Sequence, residues 1–119
     1  MPYVDGFVIP VSRRQLATYR RIARLAGKVW MENGALEYRE CVGDDLKQPF
    51  GIPFPRLARL KAGEVVLFSF IVYKSRAARD RINKRVMKDP RILKLMEPGK
   101  MPFDDKRMTY GGFKTIVSL

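Results

Sequence analysis

The chain has 119 residues and a formal net charge of +12, from 24 basic and 12 acidic side chains. Hydrophobic residues make up 46%, which argues against disorder, and no apolar run is long enough to cross a bilayer. There is no histidine and one cysteine, Cys41, which excludes Ser-His and Cys-His nucleophile systems, most zinc and non-haem iron sites, and an intrachain disulfide.

This length suits a single domain over residues 1–119, with a core that needs no disulfide or metal. The opening "MPYVDGFVIPV" lacks the basic start and long apolar stretch of a secretory signal. With one cysteine besides, a reducing cytoplasm is the expected compartment.

"YVDGFVIPV" (Tyr3 to Val11) is rich in β-branched and aromatic residues and reads as the first strand. Ser12 with Gln15 forms an S-x-x-Q capping box, predicting a helix from about Arg13 to Glu32. Leu16, Tyr19, Ile22, Ala23, Ala26, Val29 and Trp30 share one face of it; Arg13, Arg14, Arg20, Arg21, Arg24 and Lys28 share the other. Asn33-Gly34 ends the helix. In the second strand, Ala35 to Val42, alternation puts Leu36, Tyr38, Glu40 and Val42 on one side.

Residues 43–63 carry three prolines and three glycines, more than a normal connection needs. A short extended piece is expected within them, near Arg56 to Leu60. The third strand, Glu64 to Ser75, is apolar at nearly every position. Ser75 caps a second helix over residues 76–89, whose apolar stripe is Ala78, Ile82 and Val86. Asp89-Pro90 starts a short third helix, and "KRMTYGGFKTIVSL" is the last strand.

The order β-α-β-β-α-β is the ferredoxin-like pattern, an α+β fold. Right-handed crossovers put the first and third strands at the centre of a four-stranded antiparallel sheet with helices on one face. Strand four then pairs with strand one, and Gly111 and Gly112 fall near Gly6. A bulge or bend is expected there, because no helix follows to make a phosphate cradle. The third strand has apolar residues of both parities, so its second face needs cover. A homodimer that closes two open sheet faces is the leading expectation; the alternative is a monomer whose long loop folds over that face.

"YVDGFVIPV", "ECVGDD", "VLFSFIVYKSRAARD", "DPRI" and above all "MPFDDKRMTYGGF" resemble the YbaA-like family of short bacterial proteins of unknown function. The resemblance implies membership of the dimeric α/β-barrel superfamily, and with it a homodimer with a sheet-lined barrel. Other branches include cofactor-free monooxygenases, haem-degrading enzymes and muconolactone isomerase-like proteins. A chain without histidine lacks the ligand that the haem-degrading branch implies. No cofactor or metal is expected.

Four residues are candidates for a small-molecule pocket: Asp5, Glu40, Arg107 and Tyr110. Asp5 is a carboxylate in an apolar strand, so it lines a cavity as an acid or base, or is held by a backbone amide or an arginine such as Arg107. Glu40 and Cys41 point to opposite faces and cannot act as a pair. Cys41 is a reactive thiolate if cations surround it, and otherwise a small buried hydrophobe. "MPFDDKRMTY" either anchors an anion or is a turn whose charges pair with each other. The alternative class is a basic protein that binds RNA or other nucleic acid through the helix faces without catalysis, and non-specific phosphate binding follows from the charge in either case.

Overall fold

The computed structural model describes residues 1–119. Four strands, β1 (Tyr3–Ser12), β2 (Glu37–Val42), β3 (Glu64–Tyr73) and β4 (Thr109–Lys114), form one antiparallel sheet in the order β2-β3-β1-β4. The two long, apolar strands are therefore central, as the crossover rule requires. Four helices complete the chain: α1 (Leu16–Glu32), α2 (Phe54–Leu57), α3 (Arg76–Val86) and α4 (Pro90–Leu95).

The strand registers fix which residues share a face. Asp5, Phe7, Ile9 and Val11 of β1 lie opposite Ile71, Ser69, Leu67 and Val65 of β3, on the side covered by α1 and α3. Tyr38 and Glu40 of β2 and Tyr110 and Gly112 of β4 share that side. The core beneath the helices has two parts. Val29, Ile71, Tyr73, Ile82, Val86 and Ile92 centre one cluster; Ile9, Val11, Tyr19, Ala23, Val65 and Leu67 form the other.

Capping chemistry predicted two helix starts well. The Ser75 hydroxyl accepts from the Ala78 amide at 3.1 Å, and Asp89 accepts from the Arg91 amide at 2.9 Å ahead of Pro90. The capping box at Ser12 is not made. Ser12 pairs with Glu64 at the end of β1, the Arg13 amide donates to the Gly63 carbonyl at 2.8 Å, and residues 13–15 form a 3-10 turn before α1. Sheet bonds hold the serine where the helix would have used it.

Three other expectations change. The piece near Arg56 is the helical turn α2, because Pro53 and Pro55 preset a helix start. β4 stops at Lys114 because its partner begins at Tyr3; the Thr115 amide adds one last bond to the Pro2 carbonyl. The glycines make no bulge: Gly6 faces Gly111 and Asp5 faces Gly112 in unbroken register.

The second sheet face is largely bare. Residues 43–63 cover one end of it, where the Gly43 amide bonds the Val66 carbonyl and Phe54 meets Phe68 edge-on at 6.1 Å. Phe68 and Phe113 remain 47% and 62% exposed, too much for a loop-covered face. Cys41 lies on this face and is exposed, because no neighbour closes over the β2 edge. No helix is long and apolar enough to cross a membrane.

Candidate functional site

The sheet positions two polar clusters on its helix-covered side, one buried beneath α1 and α3 and one around Glu40, which is exposed at the β2 edge. The first is centred on Asp5, which is 1% exposed. Its Oδ2 accepts from the Tyr73 hydroxyl at 3.0 Å and from Asn83 Nδ2 at 3.3 Å, and Trp30 Nε1 donates to Asn83 Oδ1 at 2.9 Å. Burial, and then the Asp5 charge, push the Tyr73 phenol up, so it stays a proton donor. Asp5 Oδ1 makes no hydrogen bond but lies 3.5 Å from Arg79 Nη1.

Arg79 carries this cluster towards β4. Its Nη2 donates to the Tyr3 hydroxyl at 3.2 Å, its guanidinium sits 4.9 Å from the Tyr3 ring centroid, and Nη1 reaches the Tyr110 hydroxyl at 3.4 Å. Tyr110 stacks on Phe7 at 4.8 Å. Gly112 makes this crossing possible. A Cβ there would lie 2.5 Å from the Tyr3 hydroxyl and 2.9 Å from Arg79 Nη2. Gly112 is therefore a place of close approach, and the glycine pair is not a cradle or a kink.

The second cluster is centred on Glu40. Tyr19 of α1 donates to Oε1 at 2.8 Å, and Tyr38 of β2 donates to Oε2 at 2.8 Å. Burial first, and the Glu40 charge second, push both phenols well above the ordinary range, so both remain donors. Beside this carboxylate a cavity of about 140 Å³ opens between α1 and the sheet. Phe7, Ile9, Ile22, Trp30 and Ile71 wall it, and Phe103 helps to close it. Ser69 is its small polar floor on β3.

The four sequence candidates thus separate. Asp5 and Tyr110 meet through Arg79. Glu40 stands apart, with the cavity. Arg107 joins neither cluster: it forms a two-pronged pair with Glu64 at 2.6 and 2.8 Å and donates to the Arg59 carbonyl at 2.9 Å. The arginine at Asp5 is Arg79, not Arg107. In "MPFDDKRMTY", Asp104 caps a 3-10 turn by accepting from the Lys106 amide, which is the turn arrangement. No group of three or more Cys, Asp or Glu side chains comes together that would hold a metal ion.

Sequence reasoning missed Tyr19, Trp30, Tyr38, Arg79 and Asn83 as polar partners. Tyr38 carried a signal, since its alternation with Glu40 puts both on one face. Tyr19 and Trp30 lay on the apolar face of the helix, where the phenol and indole donors marked them as more than packing.

The geometry defines a ferredoxin-like α+β domain with an apolar cavity, edged by one carboxylate, between its first helix and its sheet. The chain matches "Protein of unknown function (DUF1428)" over residues 2–105, and it belongs to that family. It is 40% identical over 117 residues to "Uncharacterized protein YbaA" of Escherichia coli K12, covering 98% of each, and equally to that of Shigella flexneri. Two solved structures share the fold at 12% identity. One is an uncharacterized NIPSNAP domain protein from Burkholderia xenovorans, with TM-score 0.58 over 95% of this chain and 93% of that one. The other is a dimeric ferredoxin-like protein from an uncultured marine organism, with TM-score 0.56 over all of both chains.

Proposed function

We propose that the protein binds a small, mainly apolar molecule in the cavity between α1 and the sheet, and does so as a cytoplasmic homodimer. The observation that carries this is the cavity itself: apolar walls, and one carboxylate whose two oxygens are each held by a phenol. Convergent polar groups in an apolar recess are the usual mark of a ligand site. Glu40 offers proton transfer to a bound molecule with no metal or cofactor. Asp5 and Tyr110, by contrast, serve the fold through Arg79.

The dimer reading draws on the bare sheet face. Val4, Val8, Phe70 and Val72 lie between the exposed Phe68 and Phe113. An apolar area of this kind is what two-fold self-association buries, and one neighbour of the same fold is described as dimeric. Face-to-face packing of two sheets gives a closed barrel, with the depression over Gly6 and Gly111 turned inward.

A native mass spectrum of the protein as purified from cells tests both points. A dimer carrying one discrete small extra mass per chain is the expected result. A bare monomer would overturn the reading. The second reading, a nucleic-acid surface, draws on Arg76, Arg81, Lys84 and Arg85 of α3 and on Lys88 two residues beyond its end, none of which has a carboxylate within 4.0 Å. It predicts adducts that vary in mass and disappear with added salt.

A further inference from the structure

The cavity does not end at Glu40. A second basin, of about 450 Å³, adjoins it and shares Tyr19, Ala23, Tyr38 and Glu40 as common wall. Leu16, Val42 and Leu67 complete its lining, with the exposed Arg20 and Arg24 on its α1 side. The carboxylate therefore stands at the junction of an inner apolar compartment and an outer basic one.

Arg20 and Arg24 are one helical turn apart on α1, and neither has a carboxylate within 4.0 Å, although seven ion pairs form elsewhere in the chain. Like charges at this spacing destabilise a helix. No carboxylate pairs with either arginine, and an anion between the two guanidiniums would relieve that repulsion. Glu40 does not cancel them: one carboxylate against two arginines leaves the basin positive, and its charge is already shared with two phenol donors. The net charge of +12 draws anions towards the surface in the same sense.

We propose that the ligand is a small organic acid. Its apolar body fills the inner cavity, its anionic group rests between Arg20 and Arg24, and the atoms joining the two lie against Glu40. This rests on the pocket reading given above. The inner volume sets the size of the body: about 150 Å³ is enough to hold a benzene ring, so one six-membered ring or a short alkyl chain fits. Arginine pairs with a carboxylate by two parallel bonds, which adds orientation to charge. A neutral isostere keeps the body and loses the pairing.

Trp30 is the one tryptophan of the chain and walls the inner cavity, so its fluorescence reports occupancy. The full-length protein is titrated at low salt with phenylacetate, with phenylacetamide, and with phenethylammonium as the cationic counterpart. Phenylacetate is expected to bind about tenfold more tightly than the amide. The double substitution Arg20→Gln with Arg24→Gln should bring the acid down to the affinity of the amide and leave the amide unchanged. The amide titration also verifies that the variant is folded. Equal binding of acid and amide by the unsubstituted protein, or tightest binding of the ammonium, overturns the organic-acid assignment while the pocket stands. No response of Trp30 to any of the three overturns the pocket and the assignment together.

Discussion

Gly27 of α1 lies directly over the ring of Tyr38: a Cβ at this position would sit 2.7 Å from both Cδ1 and Cε1 of that ring. The missing side chain lets the helix approach the sheet closely enough for Tyr19 and Tyr38 to reach the same carboxylate. On an exposed helix, Gly→Ala stabilises by about 1 kcal/mol. Here Gly27→Ala should instead lower stability, by about 1–2 kcal/mol, because the clash exceeds the gain in helix propensity. Urea unfolding checks the sign. A shift in Trp30 emission should accompany it, since Tyr38 must move against the indole, 6.1 Å away between centroids.

Asp5 and Arg79 are a buried pair, with side chains 1% and 16% exposed. Removing one partner leaves the other charge without compensation. Asp5→Asn should therefore cost about 3 kcal/mol of unfolding free energy. Combining it with Arg79→Met should recover part of that loss, which a double-mutant cycle in urea measures. A loss in the double variant equal to the sum of the two single losses would mean the pair is not coupled.

The Glu64–Arg107 pair makes the fold acid-sensitive over a defined range. Hydrogen bonds from Arg107 hold the Glu64 carboxyl at about 2, against 4.5 in the unfolded chain. A folded value below the unfolded one means stabilisation that is complete above about pH 4.5 and lost as the pH falls towards 2. Glu64→Gln should cost about 1 kcal/mol at neutral pH, a figure reduced for solvent screening. The difference in Tm between the two proteins should stay constant from pH 6 to pH 8 and close between about pH 4.5 and 2.

The bare sheet face gives a further expectation. Phe68→Asp or Phe113→Asp places a charge where the partner sheet is proposed to pack. Each should convert the dimer to monomer in light scattering, with Tm little changed in any monomer that forms, because both side chains are already about half exposed within one chain. A dimer that persists in both variants would place the contact elsewhere.

Much of the fold was legible because it follows from order and parity. Six regular elements and the crossover rule were enough to put β1 and β3 at the centre and to set Gly6 against Gly111. Ser75 and Asp89 were legible as caps because no strand competes for them; Ser12 was not, because β3 does. At the site, Glu40 and Tyr38 could be paired by alternation alone. The contact of Tyr19 with Glu40 could not, since it depends on how α1 is rotated against a strand 21 residues further on. Arg79 flanks the narrow stripe of Ala78, Ile82 and Val86, so helical periodicity alone assigns it to the outward basic face. The gap over Gly112 admits it, and the Asp5 carboxylate holds it there. Arg107 is closer than Arg79 in sequence to Tyr110, yet the 3-10 turn before β4 aims it at Glu64.

The division of the core into two clusters bears on how the molecule opens. α1 bridges them, with Tyr19 and Ala23 in one and Val29 in the other. The first is roofed by Phe103 and Met108 from a segment with little regular structure, whereas the second is sealed by α3 and α4. The roofed half is therefore the unit that loosens first, and amides of residues 19–24 should exchange with solvent sooner than those around Val29. Entry to the cavity from beneath Phe103 and Met108 then has its own rate, set by a local fluctuation and independent of the rate at which the whole chain unfolds.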